Sequence, residues 1–103
     1  VTVFLLCRHL LPSELLFKED TMTFSEALEA IKSGGKVART GWNGKGIFIQ
    51  IQRPDAHSKM THPYIYIDTT GLQSDNLDAP RSLVPWLASQ TDLLSDDWMV
   101  VSP

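Results

Sequence analysis

One run of residues, from Thr23-Phe24-Ser25-Glu26 to Ser33-Gly34-Gly35, constrains this chain more than any other. Thr23 and Glu26 have capping-box spacing, in which a hydroxyl and a carboxylate reciprocally satisfy the free amides of a helix start. Phe24, Ala27, Leu28 and Ile31 then fall at i, i+3, i+4 and i+7, a single apolar stripe. The glycine pair ends the run, because glycine enters the left-handed C-terminal conformation without a Cβ penalty. The stripe needs an opposing surface, and several short strand-like segments follow Gly35.

Lys36-Val37-Ala38-Arg39 is a short extended piece. Asn43-Gly44, inside Gly41–Gly46, is a tight-turn signal, since both residues tolerate positive φ. Ile47, Ile49 and Ile51 alternate with Phe48, Gln50 and Gln52, giving a strand with one fully apolar face. Ile65 and Ile67 alternate with Tyr64, Tyr66 and Asp68 in the same way. Leu83-Val84 is a further short strand ended by Pro85-Trp86, and Trp98–Val101 is the last. Ser89 and Asp92 form a relaxed capping box for a short helical turn, and Asp96-Asp97 reads as its end. The expected fold is α+β. One amphipathic N-terminal helix packs on a twisted, mostly antiparallel β-sheet, and a short second helix is added to it.

Residues 1–21 read differently. They begin apolar but reach Arg8 and His9 too early for a signal peptide, with no basic n-region and no small-residue cleavage site. Met22 stands directly before the helix signal. The expectation is that Met22 initiates the domain and that 1–21 are an upstream extension outside it. The competing reading is an extra strand or helix docked on the domain. Residues 22–103 then form a single domain.

With 103 residues the chain holds one core, which excludes a multidomain enzyme or a (β/α)₈ barrel. Cys7 is the only cysteine, so neither an intramolecular disulfide nor a cysteine-based zinc site is available, and a reducing, cytoplasmic setting is expected. No apolar run reaches the roughly 20 residues of a membrane span. The net charge of −3 conceals an uneven distribution. Between residues 31 and 60, Lys32, Lys36, Arg39, Lys45, Arg53 and Lys59 stand against Asp55 alone, while both flanks are acidic. Such a chain is a poor partner for DNA or RNA, whose long polyanion the flanks would repel, but its basic middle suits a small anion. Solvated turns carrying lysines would look the same.

The sequence contains no GxSxG, HExxH, P-loop or GxGxxG pattern, and an adjacent pair such as Asp96-Asp97 diverges too much for paired acid–base work. His57 and His62 sit five apart in a loop and are expected to be solvated rather than metal-bound. No catalytic residue, metal or cofactor is expected. The unusual side chains are aromatic. Trp42 lies beside a turn in a basic, glycine-rich stretch, and Trp86 precedes a polar run. An indole face can stack a purine for about 1–3 kcal/mol; equally, both rings can fill a small core. Trp98, within a strand, reads as core or subunit interface.

Three stretches in order carry a resemblance. Met22–Arg39 (MTFSEALEAIKSGGKVAR), Gly41–Gly46 (GWNGKG) and Val84–Trp98 (VPWLASQTDLLSDDW) resemble the second Thoeris anti-defence family of small phage and prophage proteins. The resemblance implies a sponge. Members sequester, without cleaving it, the glycocyclic ADP-ribose signal made by the host's TIR-domain defence protein, and some also capture cyclic oligonucleotides at separate sites. It further implies a homotetramer with pockets between protomers. By motif, Trp42 and Trp86 would be stacking surfaces, Arg39, Asn43 and Lys45 would lie along phosphates and ribose, and Ser89, Gln90, Thr91 and Asp92 would add polar contacts. Two other readings stay open: a phosphodiesterase acting on the same signal, and a phage assembly protein whose tryptophans build an oligomer interface.

Overall fold

A computed structural model describes residues 21–101. The elements run α1 (Phe24–Lys32), β1 (Lys36–Arg39), β2 (Phe48–Gln52), β3 (Tyr64–Asp68), β4 (Leu83–Pro85), α2 (Gln90–Leu94) and β5 (Trp98–Val101). The five strands form one sheet in the order β4-β3-β2-β1-β5, with every neighbouring pair antiparallel. The α+β expectation holds, and the sheet is antiparallel throughout. The expected extension of residues 1–21 lies, apart from its last residue, outside the described residues.

Local chemistry explains the first helix at both ends. The Thr23 hydroxyl accepts from the Glu26 amide while Glu26 Oε1 accepts from the Thr23 amide at 3.0 Å, completing the capping box. At the other end Gly34 takes φ +98°, its amide donates to Ile31 O at 2.9 Å and the Gly35 amide donates to Ala30 O at 2.8 Å. That pair of bonds is the Schellman arrangement, and it needs a residue at ease with positive φ. The helix buries Ala27 and Ile31 completely against Val37, Ile49 and Trp98 of β1, β2 and β5.

Strand alternation then divides the sheet. Val37, Ile49, Ile51, Ile65, Ile67 and Trp98 point to the helix side. Lys36, Ala38, Phe48, Gln50, Tyr66, Met99 and Val101 point to the other side, which no described element covers. On that open face the Tyr66 hydroxyl donates to Gln50 Oε1 at 2.9 Å.

Two expectations are corrected. Asn43-Gly44 is not a tight hairpin turn: β1 ends at Arg39, β2 begins at Phe48, and neither Asn43 nor Gly44 has positive φ. The connection is instead drawn out across residues 40–47. Lys45 forms an isolated bridge with Gln73, whose amide donates to Lys45 O at 2.9 Å, and Gly46 crosses Gly71 too closely to admit a Cβ. Contacts with a distant loop thus outweigh the local turn signal. Asp97 does not end α2 either, because Ser95 already caps that helix. Its carboxylate binds Arg39 instead.

Candidate ligand-binding site

The site grows from Trp98, which is fully buried. Three rings surround it. Phe24 stands 5.3 Å away between centroids, Trp42 5.4 Å away at 78°, and Trp86 6.0 Å away at 86°. The two tryptophan contacts are edge-to-face, the geometry the aromatic quadrupole favours. Phe24 also meets Trp86 at 6.1 Å. Trp42 and Trp86 remain half-buried, so each offers part of its ring beyond the cluster.

Two carboxylates fix this cluster to the corner after β1. Asp92 Oδ1 accepts from Arg39 Nη1 at 2.9 Å and from the Trp42 indole N–H at 3.2 Å, while Asp92 Oδ2 accepts from the Ser89 amide at 3.1 Å. The Asp92 main-chain oxygen accepts the Trp98 indole N–H at 2.9 Å. Asp97 Oδ1 takes Arg39 Nε at 2.8 Å, and Asp97 Oδ2 takes the Gly41 amide at 2.8 Å and the Thr40 hydroxyl at 3.3 Å. Antiparallel pairing of Arg39 with Trp98 brings these groups together.

Electrostatics reflect the bonding. Burial pushes the Asp92 carboxyl up, but the donors of Ser89, Arg39 and Trp42 outweigh it and hold the group below its ordinary range. The hydrogen bond from Arg39 lowers Asp97, with the Gly41 amide adding to it against a smaller burial effect. Arg39 is raised, by Asp97 first, against desolvation, and then by Asp92. The clasp is fully ionised at neutral pH, with two carboxylates to one guanidinium.

Two clefts flank the 40–47 connection. One, of about 540 Å³, is bounded by Asn43, Gly44, Ile47, Leu72, Gln73 and Ser82 among others. The other, of about 430 Å³, lies on the open sheet face between Lys36, Thr40, Lys45, Phe48 and Met99. Among the described residues no group of three His, Cys, Asp or Glu side chains is placed to hold a metal ion.

The family model of the Thoeris anti-defense 2-like domain matches residues 22–101. The chain belongs to the Thoeris anti-defense 2-like family. A relative named Thoeris anti-defense 2, from Bacillus phage SP01, is 38% identical over 85 residues, covering 79% of this chain and 96% of the relative.

In this member of the family, the residues singled out by motif fall into separate groups. Arg39, Trp42, Ser89 and Asp92 are joined by direct hydrogen bonds, and Trp86 meets them through Trp98. Asn43 and Lys45 lie exposed on the connection, one beside each cleft. Gln90 and Thr91 are exposed on the first turn of α2, with no side-chain hydrogen bond among the described residues. Sequence reasoning missed Asp97 as a fixing group and, while counting Lys36 in the basic stretch, did not make it a candidate contact. A preference for β5 beside β1 would have revealed Asp97, but no local pattern encodes that pairing.

Proposed function

We propose that this protein is a phage or prophage anti-defence sponge. In this reading it binds a cyclic nucleotide immune signal of the glycocyclic ADP-ribose type and withholds it uncleaved, as a homotetramer in the cytoplasm of the infected bacterium. The observation that carries the reading is the family match across 22–101, joined to a phage relative whose name is an anti-defence one. The geometry supports it in two ways. Trp42 and Trp86 are half-buried rings set at fixed angles about Trp98, a rigid platform for flat bases that costs little ordering on binding. Leu87, 91% exposed shortly before α2, and Leu94, 83% exposed as its last residue, suit burial against further copies of the chain. A domain this small encloses little by itself, and pockets shared between copies remove that limit.

The test is thermal stability with and without glycocyclic ADP-ribose, then heat release and chromatography of the ligand. Ligand at a thousandfold over its dissociation constant should stabilise the fold by roughly 4 kcal/mol. It should be recovered intact; altered ligand would mean turnover. No shift would favour the second reading, an assembly oligomer, to which the exposed leucines also point. Trp42→Phe separates the two, since it keeps a ring against Trp98. In a sponge it weakens ligand binding and leaves sedimentation unchanged; in an assembly protein it alters sedimentation.

A further inference from the structure

A phosphate-bearing ligand needs cations that are free to meet it, and Arg39 is not one. Its Nε and Nη1 donate to Asp97 and Asp92, and its side chain is only 13% exposed. The clasp as a whole carries one more carboxylate than guanidinium, so a phosphate brought there would meet net repulsion. In the short helix the Ser89 and Asp92 amides are already taken within its capping box.

The open sheet face is different. Lys36 at the start of β1 holds its ammonium 4.7 Å from the centre of the Phe48 ring, and Lys45 stands on the wall formed by the 40–47 connection. Neither lysine is within salt-bridge distance of a carboxylate among the described residues. Ala38, Phe48 and Met99 give the cleft an apolar floor, and its roughly 430 Å³ falls in the range of small-molecule sites. The wall is fixed, since Gly46 lies against Gly71 and Lys45 O receives the Gln73 amide. An acid does face the same side: Asp68 pairs in register with Phe48. Its Oδ1, however, is occupied by the Thr70 amide at 2.9 Å and the Thr70 hydroxyl at 2.6 Å.

We propose that the cleft between Lys36 and Lys45 is the phosphate-binding subsite of this protein, its charge supplied by these two lysines while the Arg39 guanidinium stays paired with Asp92 and Asp97. Two ammonium groups over an apolar floor suit a diphosphate attached to a sugar, the charge between the lysines and the sugar over Phe48 and Met99. The identity of the ligand rests on the sponge reading; the cleft does not.

The test tracks backbone amide resonances of the protein, K36Q and K45Q during titration first with inorganic pyrophosphate and then with glycocyclic ADP-ribose. Pyrophosphate should shift the amides of Lys36, Lys45, Gly46 and Met99 along a saturable curve. Each glutamine variant should weaken binding at least tenfold at unchanged melting temperature, and added salt should weaken the wild type more than the variants. Shifts centred on Gly41, Trp42 and Ser89, or a curve that never saturates, would overturn the proposal. So would variants that change sedimentation but not affinity, which would mark the face as a subunit contact. If pyrophosphate binds as described and glycocyclic ADP-ribose does not, the cleft stands and the sponge reading fails. If glycocyclic ADP-ribose binds and both variants bind it equally well, the sponge reading stands and the cleft falls.

Discussion

Removing the Arg39 guanidinium would leave Asp92 and Asp97 facing one another in a half-buried corner without their shared donor. Arg39→Ala should therefore cost about 3 kcal/mol, the scale for breaking a buried pair from one side, read as a fall in denaturant midpoint at unchanged slope. Arg39→Lys should recover little, because one ammonium cannot reproduce a fork that reaches two carboxylates. The acid limb of stability has a definite sign. Both carboxyls sit below their ordinary values in the folded state, so their contribution is complete above about pH 4 and is lost as pH falls through the lowered folded values. Asp97→Asn should lower the melting temperature at neutral pH and flatten its decline below about pH 4. A variant whose acid limb remained as steep as wild type would separate Asp97 from acid unfolding.

The elements differ in how legible they are in the sequence, and the difference tracks the range of the interactions behind them. α1 is legible to its ends because cap, stripe and glycine stop all lie close together along the chain, and β2 and β3 because alternation is local. The 40–47 connection is not, because its shape depends on Gln73 and Gly71, far along the chain. Asp92 can be foreseen as a cap, but its bonds to Arg39 and Trp42 depend on strand order, so half of its role is hidden. The placement of the motif residues is hidden for the same reason. Two substitutions probe this scale. Thr23→Ala should cost about 1 kcal/mol through the lost cap. Gly46→Ala should cost about 1–3 kcal/mol, since alanine must adopt φ +86° and its Cβ would strike the Gly71 carbonyl. Faster amide exchange at Gln73 would show the two loops parting.

At the scale of the whole molecule, the fully buried core among the described residues is small: Ala27, Ile31, Val37, Ile49 and Trp98. Ile31→Ala should cost about 2–5 kcal/mol, a large share of the stability available to a domain of this size. One face of the sheet is covered by α1 and the other by no described element, so association on it would contribute directly to folding. Under the tetramer proposal the melting temperature must rise with protein concentration. A melting temperature that stays constant across a hundredfold dilution would remove assembly from the proposal.

The ring arrangement around Trp98 also has an optical consequence. The other two tryptophans of the chain stand 5.4 Å and 6.0 Å from Trp98, with interplanar angles of 78° and 86°. Transition dipoles at such separations couple, so the three indoles absorb as one chiral chromophore and should give a split near-ultraviolet circular dichroism band. The sign and size of that band depend on the angles between the rings. A few degrees of rotation at Trp42 or Trp86, the two rings with exposed area, would therefore be visible without any added label.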